Sequence, residues 1–318
     1  MKALCFDSFG GPEVLYYGEV AGPAINDDTV LVRTKAIGLN FADVYRRKGN
    51  YHLTGKPPYI AGYEGAGEVI KVGKDVKNIK VGDRIGFADV PLANAELVAV
   101  PVEHAIPLPA TIAYETAAAI LLQGLTAQYL TRDSYKIKRG DHVLIHAAAG
   151  GVGQLLVQLC KSFGATVVGL TSSEEKRQAV LDAGADAVFL YSDDWKLKVL
   201  TISAMDVIYE SIGTTLMDSL AVAKTGGAVV FFGFAGGNPP LVDPRFLMDK
   251  SLTITGGDLW NYLVSREERL KRAAELFNWV EEGVITVNIN KKFNLKDGVL
   301  AHRFLESRKS TGKILLLP

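Results

Sequence analysis

The stretch from His142 to Phe163 constrains the fold more than any other part of the chain. Val143-Leu144-Ile145 is an apolar run of the length expected for a buried strand. A turn of small residues follows, Ala147-Ala148-Ala149-Gly150-Gly151-Val152-Gly153. Beyond it Val152, Leu155, Leu156, Leu159, Cys160 and Phe163 recur at helical spacing. Strand, turn and helix in that order are the context in which a glycine motif reads as a dinucleotide site. Gly150 lacks a Cβ, so the backbone can approach a pyrophosphate, and Gly153 lets the helix pack closely on the strand. The helix N-terminus then offers N–H groups and a positive dipole end to phosphates. Ala148 stands where G-x-G-x-x-G has its first glycine, so an ordinary strand-to-helix turn competes with this reading of the motif taken alone.

The next strand, Ala165 to Leu170, bears on which dinucleotide is bound. An unphosphorylated ribose is usually met by Asp or Glu about 20 residues past the glycines. Here the strand runs into Thr171-Ser172-Ser173, with Lys176 and Arg177 just behind. Small hydroxyls leave room for a 2′-phosphate and a cation neutralises it, which favours NADPH over NADH. Glu174 and Glu175 fall where acids suit the first turn of the following helix. The alternative makes Ser173 only an N-cap and Lys176 a solvated charge.

A chain of 318 residues, 48% hydrophobic and 22% charged, suggests about two globular domains. Its 35 basic residues balance 35 acidic ones, so no broad electrostatic surface for nucleic acid or anionic membrane is expected. The opening MKALCFDSFGG lacks a basic segment followed by a long apolar core, and no apolar run is long enough to span a bilayer. Cys5 and Cys160 lie in apolar contexts and read as reduced core residues. A cytoplasmic protein is expected.

Along the chain, the first part reads as β-rich. Strand candidates at Lys2–Phe6, Thr29–Arg33, Glu68–Val72 and Glu96–Val100, and one after Gly82-Asp83, are separated by Gly, Pro, Asn and Asp. One short helix is expected near Asn40 to Arg47. Ala113 to Leu130 is helical in pattern, and strands then alternate with helices from Val143 to Thr255. That alternation predicts an α/β fold with a doubly wound parallel sheet. The closing segment returns to strand, short helix (Leu295–Glu306) and strand (Lys313–Leu317), and is expected to rejoin the first domain with the active cleft between the lobes.

These residues resemble a known family: the zinc-independent medium-chain dehydrogenases/reductases of the quinone oxidoreductase (zeta-crystallin-like) group. The resemblance runs the length of the chain. It is carried by Gly10-Gly11-Pro12-Glu13-Val14-Leu15, Gly38-Leu39-Asn40-Phe41-Ala42-Asp43, Gly62-Tyr63-Glu64-Gly65-Ala66-Gly67, Gly82-Asp83-Arg84-Ile85, Gly124-Leu125-Thr126 and the Ala147–Gly153 turn. It implies a GroES-like β-rich catalytic domain over 1–120 completed by 270–318, a Rossmann cofactor domain over 121–269, and a homodimer.

By the same resemblance Asn40, Tyr45 and Tyr51 belong to the substrate and nicotinamide pocket, and Thr126 lies at the nicotinamide end. Ala149, Gly150, Gly151, Val152 and Gly153, with Phe232 and Gly233, belong to the cofactor site. Ser172, Ser173, Lys176, Tyr191 and Arg308 match positions around the 2′-phosphate, with Tyr191 as a phenolic donor. Tyr45 and Tyr51 as plain half-buried aromatics, and Arg308 as part of a solvated charged run, are the competing readings.

Zinc-dependent relatives carry Cys where Asn40 stands and His in place of Tyr63. Two cysteines in total cannot build their four-cysteine structural site, and the five histidines show no ligand spacing, so no metal is expected. Without a Lewis acid, a conjugated acceptor suits hydride reduction better than an isolated carbonyl, because the incoming charge spreads over its π system. The implied activity is NADPH-dependent quinone reduction, with Asn40 or Tyr51 as hydrogen-bond donors to the developing oxyanion. Reduction of the double bond of a 2-alkenal or enone is the alternative, with Phe87, Phe232 and Phe234 as candidates for shaping the pocket. A non-catalytic, crystallin-like or RNA-binding NADPH protein is a third reading, its RNA form disfavoured by the lack of a basic, aromatic-interleaved stretch.

Overall fold

The structure, a computed structural model, describes residues 1–53 and 55–318. The chain divides into two compact units, one comprising Met1–Leu122, Leu263–Glu281 and Val287–Pro318, the other Gln123–Tyr262 and Glu282–Thr286.

The first unit opens with β1 (Lys2–Phe6), β2 (Leu15–Glu19), β3 (Thr29–Leu39), α1 (Phe41–Arg47), β4 (Tyr59–Ile60), β5 (Glu64–Val72), β6 (Arg84–Ala88), β7 (Leu97–Pro101) and β8 (Ile106–Pro107). Helix α2 (Tyr114–Tyr129) carries the chain onward. The second unit holds β9 (His142–Ile145), α3 (Gly151–Ser162), β10 (Thr166–Thr171), α4 (Arg177–Asp182), β11 (Ala187–Leu190), α5 (Trp195–Ile202), β12 (Met205–Glu210), α6 (Leu216–Val222), β13 (Ala223–Phe231), α7 (Pro244–Lys250) and β14 (Thr253–Gly256). The chain then adds α8 (Arg266–Glu281), β15 (Ile289–Asn294), α9 (Gly298–Glu306) and β16 (Lys313–Leu317) to the first unit.

In the second unit six parallel strands run in the order β11-β10-β9-β12-β13-β14. The order reverses between β9 and β12, the doubly wound arrangement expected from the alternating pattern. Strands covered on both faces are near-continuous apolar runs, and all six residues of β12 are buried, with Asp206 and Glu210 as its two polar members. Leu144, Val168, Leu170, Ile208 and Val229 of the sheet pack with Trp195, Val199, Leu216 and Leu220 of the helices. Each such side chain contributes about 1.5–3 kcal/mol on burial.

The first unit is built on β3, whose eleven residues pair antiparallel with β5, β7 and β16. Its larger sheet runs β15-β16-β3-β5-β6-β8, with β7 also on β3, and β2-β1-β4 form a second sheet. The pairing of Ile314 with Leu39 and Leu316 with Ile37 is how the closing segment joins this unit. Besides the two-residue strands β4 and β8, two elements escaped the sequence pattern. Strand β2 exposes most of its residues and so lacks an apolar face, and α7 is short, although Asp243 accepts the Arg245 N–H as N-cap ahead of Pro244. Among the described residues no helix is long and apolar enough to cross a membrane.

Candidate active site

Ligands of a doubly wound sheet are met at the carboxyl ends of the strands that flank the reversal. Here those strands are β9 and β12, and α3 starts just beyond β9 with Gly150 as N-cap and no side chain capping it. A Cβ on Gly153 would stand 2.4 Å from the Ala147 carbonyl oxygen, so the helix sits directly on the turn. A Cβ on Gly150 would meet only that same oxygen, at 3.2 Å, leaving the backbone there open to a close-lying group. Ala148, which replaces the usual first glycine, is fully buried. Its methyl occupies room left by Gly169 of β10, where a Cβ would lie 2.9 Å from it. Open backbone at the mouth of an uncapped twelve-residue helix fits a dinucleotide pyrophosphate.

Behind this turn lies a buried polar network that the sequence reading missed. His146 directly follows β9 and Glu210 ends β12, and both are at most 1% exposed. Ser219 donates to Glu210 Oε2 at 2.7 Å and lies 3.0 Å from His146 Nε2. The Tyr191 hydroxyl lies 3.1 Å from His146 Nδ1 and accepts the Ala147 N–H at 2.9 Å. One proton assignment satisfies every partner: Nε2–H to Ser219, Ser219 to Glu210, and Tyr191 to Nδ1. Burial lowers the His146 pKa against the pull of Glu210, keeping the imidazole neutral as that assignment requires. Burial opposes ionisation of Glu210, but the hydrogen bonds it accepts from Ser219, Thr215 and the Gly213 N–H hold its carboxyl below the usual range. Glu210 also accepts the Ile212 and Gly213 N–H groups, which fixes the loop after β12. Tyr191, expected as a phenolic donor beside the 2′-phosphate, joins His146 to the glycine-rich turn.

The carboxyl end of β10 carries Ser172, which is exposed, and Ser173, which precedes a 3-10 turn without capping it by a side-chain hydrogen bond. Ser173 instead bonds Glu175, whose pKa this lowers. Arg177 is committed to Glu174 at 2.7 Å and to the Val188 carbonyl at 2.8 Å, and Lys176 beside it is half-buried. Phe232 and Gly233 follow β13, with the Phe232 N–H on the Glu210 carbonyl. Thr126 is buried in α2. Arg308 belongs to the first unit, where it is exposed with a left-handed φ of 59°.

Within the first unit, Asn40 is the N-cap of α1, in a capping box with Asp43. Both of its amide hydrogens are spent inside the protein, on Glu64 Oε2 at 2.9 Å and on the Gly38 carbonyl at 3.3 Å. Tyr45, on α1, meets Tyr51 edge-on with centroids 6.5 Å apart, and both rings are half-buried. Arg46, a residue not singled out in the sequence, holds its guanidinium 3.3 Å from the centroid of the Tyr63 ring and 4.9 Å from that of Tyr51. Phe87 is fully buried in a core cluster with Val69 and Ile85 and shapes that core instead of a pocket. Among the described residues, no cluster of His, Cys, Asp and Glu is arranged to hold a metal ion.

A GroES-like unit joined to a doubly wound nucleotide-binding unit defines the medium-chain dehydrogenase/reductase class, and family models agree. The alcohol dehydrogenase GroES-like domain matches residues 26–132, and the zinc-binding dehydrogenase domain matches residues 151–279. The chain is 40% identical to the quinone oxidoreductase of Pseudomonas aeruginosa over 324 residues, covering 100% of this chain and 99% of that protein. It is 36% identical to a 2-haloacrylate reductase of Burkholderia, covering 97% of this chain and 96% of that one. The crystal structure of Escherichia coli quinone oxidoreductase complexed with NADPH superposes with a TM-score of 0.96 at 39% identity, over 100% of both chains. The chain belongs to the zinc-independent quinone oxidoreductase family of medium-chain oxidoreductases.

Proposed function

We propose that this protein is an NADPH-dependent quinone reductase. The observation that carries the cofactor preference is the end of β10, where Thr171-Ser172-Ser173 and Lys176 stand in place of a ribose-binding carboxylate. When bound, NADPH supplies a hydride from nicotinamide C4. The glycine-rich turn and the N-terminus of α3 receive the pyrophosphate, braced by Tyr191 and His146. Ser172, Ser173, Lys176 and Arg308 serve the 2′-phosphate, while Thr126, Phe232 and Gly233 serve the nicotinamide half. Tyr45 and Tyr51 form the aromatic wall for a flat, conjugated acceptor. Because the Asn40 amide hydrogens are committed to Glu64 and Gly38, the Tyr51 phenol is the donor to the developing oxyanion. The same reading includes a cytoplasmic homodimer, on the strength of the family resemblance, and sedimentation tests the dimer.

A second reading, reduction of the double bond of an enone or a related activated alkene, draws support from the likeness to the 2-haloacrylate reductase. Oxidation of NADPH and of NADH, each with 1,4-benzoquinone and with a 2-alkenone after chelator treatment, separates the two. Quinone-dependent NADPH oxidation that survives the chelator is the expected result. Turnover of the alkenone alone moves the assignment to an enone reductase, and tight NADPH binding with neither acceptor reduced refutes both.

A further inference from the structure

Three polar side chains that would ordinarily sit in water are buried together in the first unit. Lys313 opens β16 and is 1% exposed, yet its ammonium donates to Glu64 Oε2 at 2.6 Å and to Asn40 Oδ1 at 2.8 Å. Glu64 opens β5, and its other carboxylate oxygen accepts the Leu122 N–H of α2 at 2.6 Å. A Cβ on Gly38 would stand 2.2 Å from Glu64 Oε2, so only glycine there admits the carboxylate. The cluster ties together β16, β5, α2 and the first turn of α1.

An ion pair this deep adds little net stability, because desolvating two charges offsets their attraction. What it does supply is a unique arrangement. With Lys313 donating to its oxygen, the Asn40 amide can point its N–H groups only at Glu64 and Gly38. The Asn40 backbone N–H in turn bonds Asp43 Oδ2 at 2.9 Å, fixing the start of the helix that carries Tyr45 and Arg46. Arg46 then pins Tyr51, both by its stacking and by donating to the His52 carbonyl at 3.1 Å.

We propose that Lys313 is a positioning residue for acceptor reduction: through Asn40 and Glu64 its ammonium holds α1, and with it the aromatic wall of Tyr45 and Tyr51, in the geometry that receives the acceptor. This inference rests on the quinone reductase reading. It assigns to a residue on the last strand an effect on turnover that no contact with the acceptor is needed to produce.

The test compares wild type, Lys313→Met and Lys313→Met/Glu64→Gln by melting temperature, NADPH dissociation constant, and the kcat and KM for 1,4-benzoquinone. The single variant leaves Glu64 buried without its cation, so its melting temperature falls. The double variant removes both members of the buried pair, leaving Asp43 and Arg46 in place, and regains most of that loss. For a positioning role, kcat drops by about 10- to 100-fold in both variants, as expected for a reacting group misplaced by about 1 Å, while the NADPH dissociation constant stays within about twofold. Wild-type kcat in the single variant overturns the proposal. So does a double variant that recovers kcat together with melting temperature, since the pair would then be structural only. If the single variant does not fold, the double variant decides alone. A wild-type enzyme that reduces no quinone refutes the functional reading, whereas an active wild type with either overturning result refutes only the role of Lys313.

Discussion

Substitution of His302 by Asn should flatten the acid sensitivity of the first unit by an amount the structure specifies. His302 lies on α9, is 0% exposed, and faces Arg47 Nη1 across 3.3 Å with its Nδ1. Arg47 is itself fully buried and reaches the Gly10 carbonyl at 3.2 Å and Glu306 at 2.5 Å. Burial and the guanidinium push the His302 pKa from 6.5 down to about 3. The folded state thus refuses a proton that the unfolded chain accepts. The resulting stability is complete above the unfolded value and is lost as pH falls toward the folded one. Between about pH 8 and about pH 5 the loss is about 2 kcal/mol. Asp43 works in the opposite sense. Burial lifts its pKa to about 6, against the pull of Arg46, so its contribution favours the folded state at low pH and is lost as pH rises through that value. The two groups partly cancel in the wild type, and only a difference between variants isolates one of them. Asn at 302 keeps an acceptor for Arg47 and does not titrate. Urea unfolding read by pulsed hydrogen exchange in the α9 and β16 peptides follows this unit by itself. Relative to wild type, the variant should gain about 2 kcal/mol on going from about pH 8 to about pH 5. Parallel pH profiles, differing by less than about 0.5 kcal/mol, would show that His302 titrates normally and refute the argument.

Three further outcomes can be checked. Lys176→Ala should raise the KM for NADPH by about 10- to 100-fold, the worth of one charge-assisted phosphate contact, and leave the NADH value nearly unchanged; an unaltered NADPH/NADH ratio counts against the 2′-phosphate assignment. Tyr191→Phe strands the Ala147 N–H and removes the shorter of the two contacts to His146 Nδ1, so it should lower stability by about 1–3 kcal/mol in urea melts and weaken NADPH binding in titration calorimetry. Gly169→Ala drives a methyl against Ala148 Cβ and Val180 Cγ1, lowering stability by about 1–3 kcal/mol; adding Ala148→Gly should recover part of this, and strict additivity of the two changes in a denaturation cycle would contradict the packing described.

The doubly wound sheet was legible because its strands are short apolar runs with amphipathic helices between them. That signal is local and repeats, and Ala187–Leu190 appears in the sequence with the bounds it has in the structure. The glycine-rich turn was legible for the same reason, since its role depends on neighbours along the chain. His146 and Glu210 were not, because 64 positions separate them and each merely lies at the end of a strand; only strand order brings them together. Lys313 and Glu64 are further apart still, and a lysine before an apolar run reads as a solvated strand end. Tyr191 shows a different gap: it was expected beside the 2′-phosphate, while its bonds to the glycine-rich turn and to His146 depend on a histidine whose partners no periodicity encodes.

The exchange of glycine for Ala148, compensated by Gly169 on the neighbouring strand, restricts which related sequences can be reached one substitution at a time. From the present pair, a glycine at 148 opens a void that the turn can tolerate, and only then, once Val180 also yields, can position 169 accept a side chain. The reverse order passes through two methyl groups contending for one space. Homologues with a G-x-G-x-x-G turn and a larger residue on the second strand are thus neighbours of this chain along one path only, and the order of change is set by a gap between two strands.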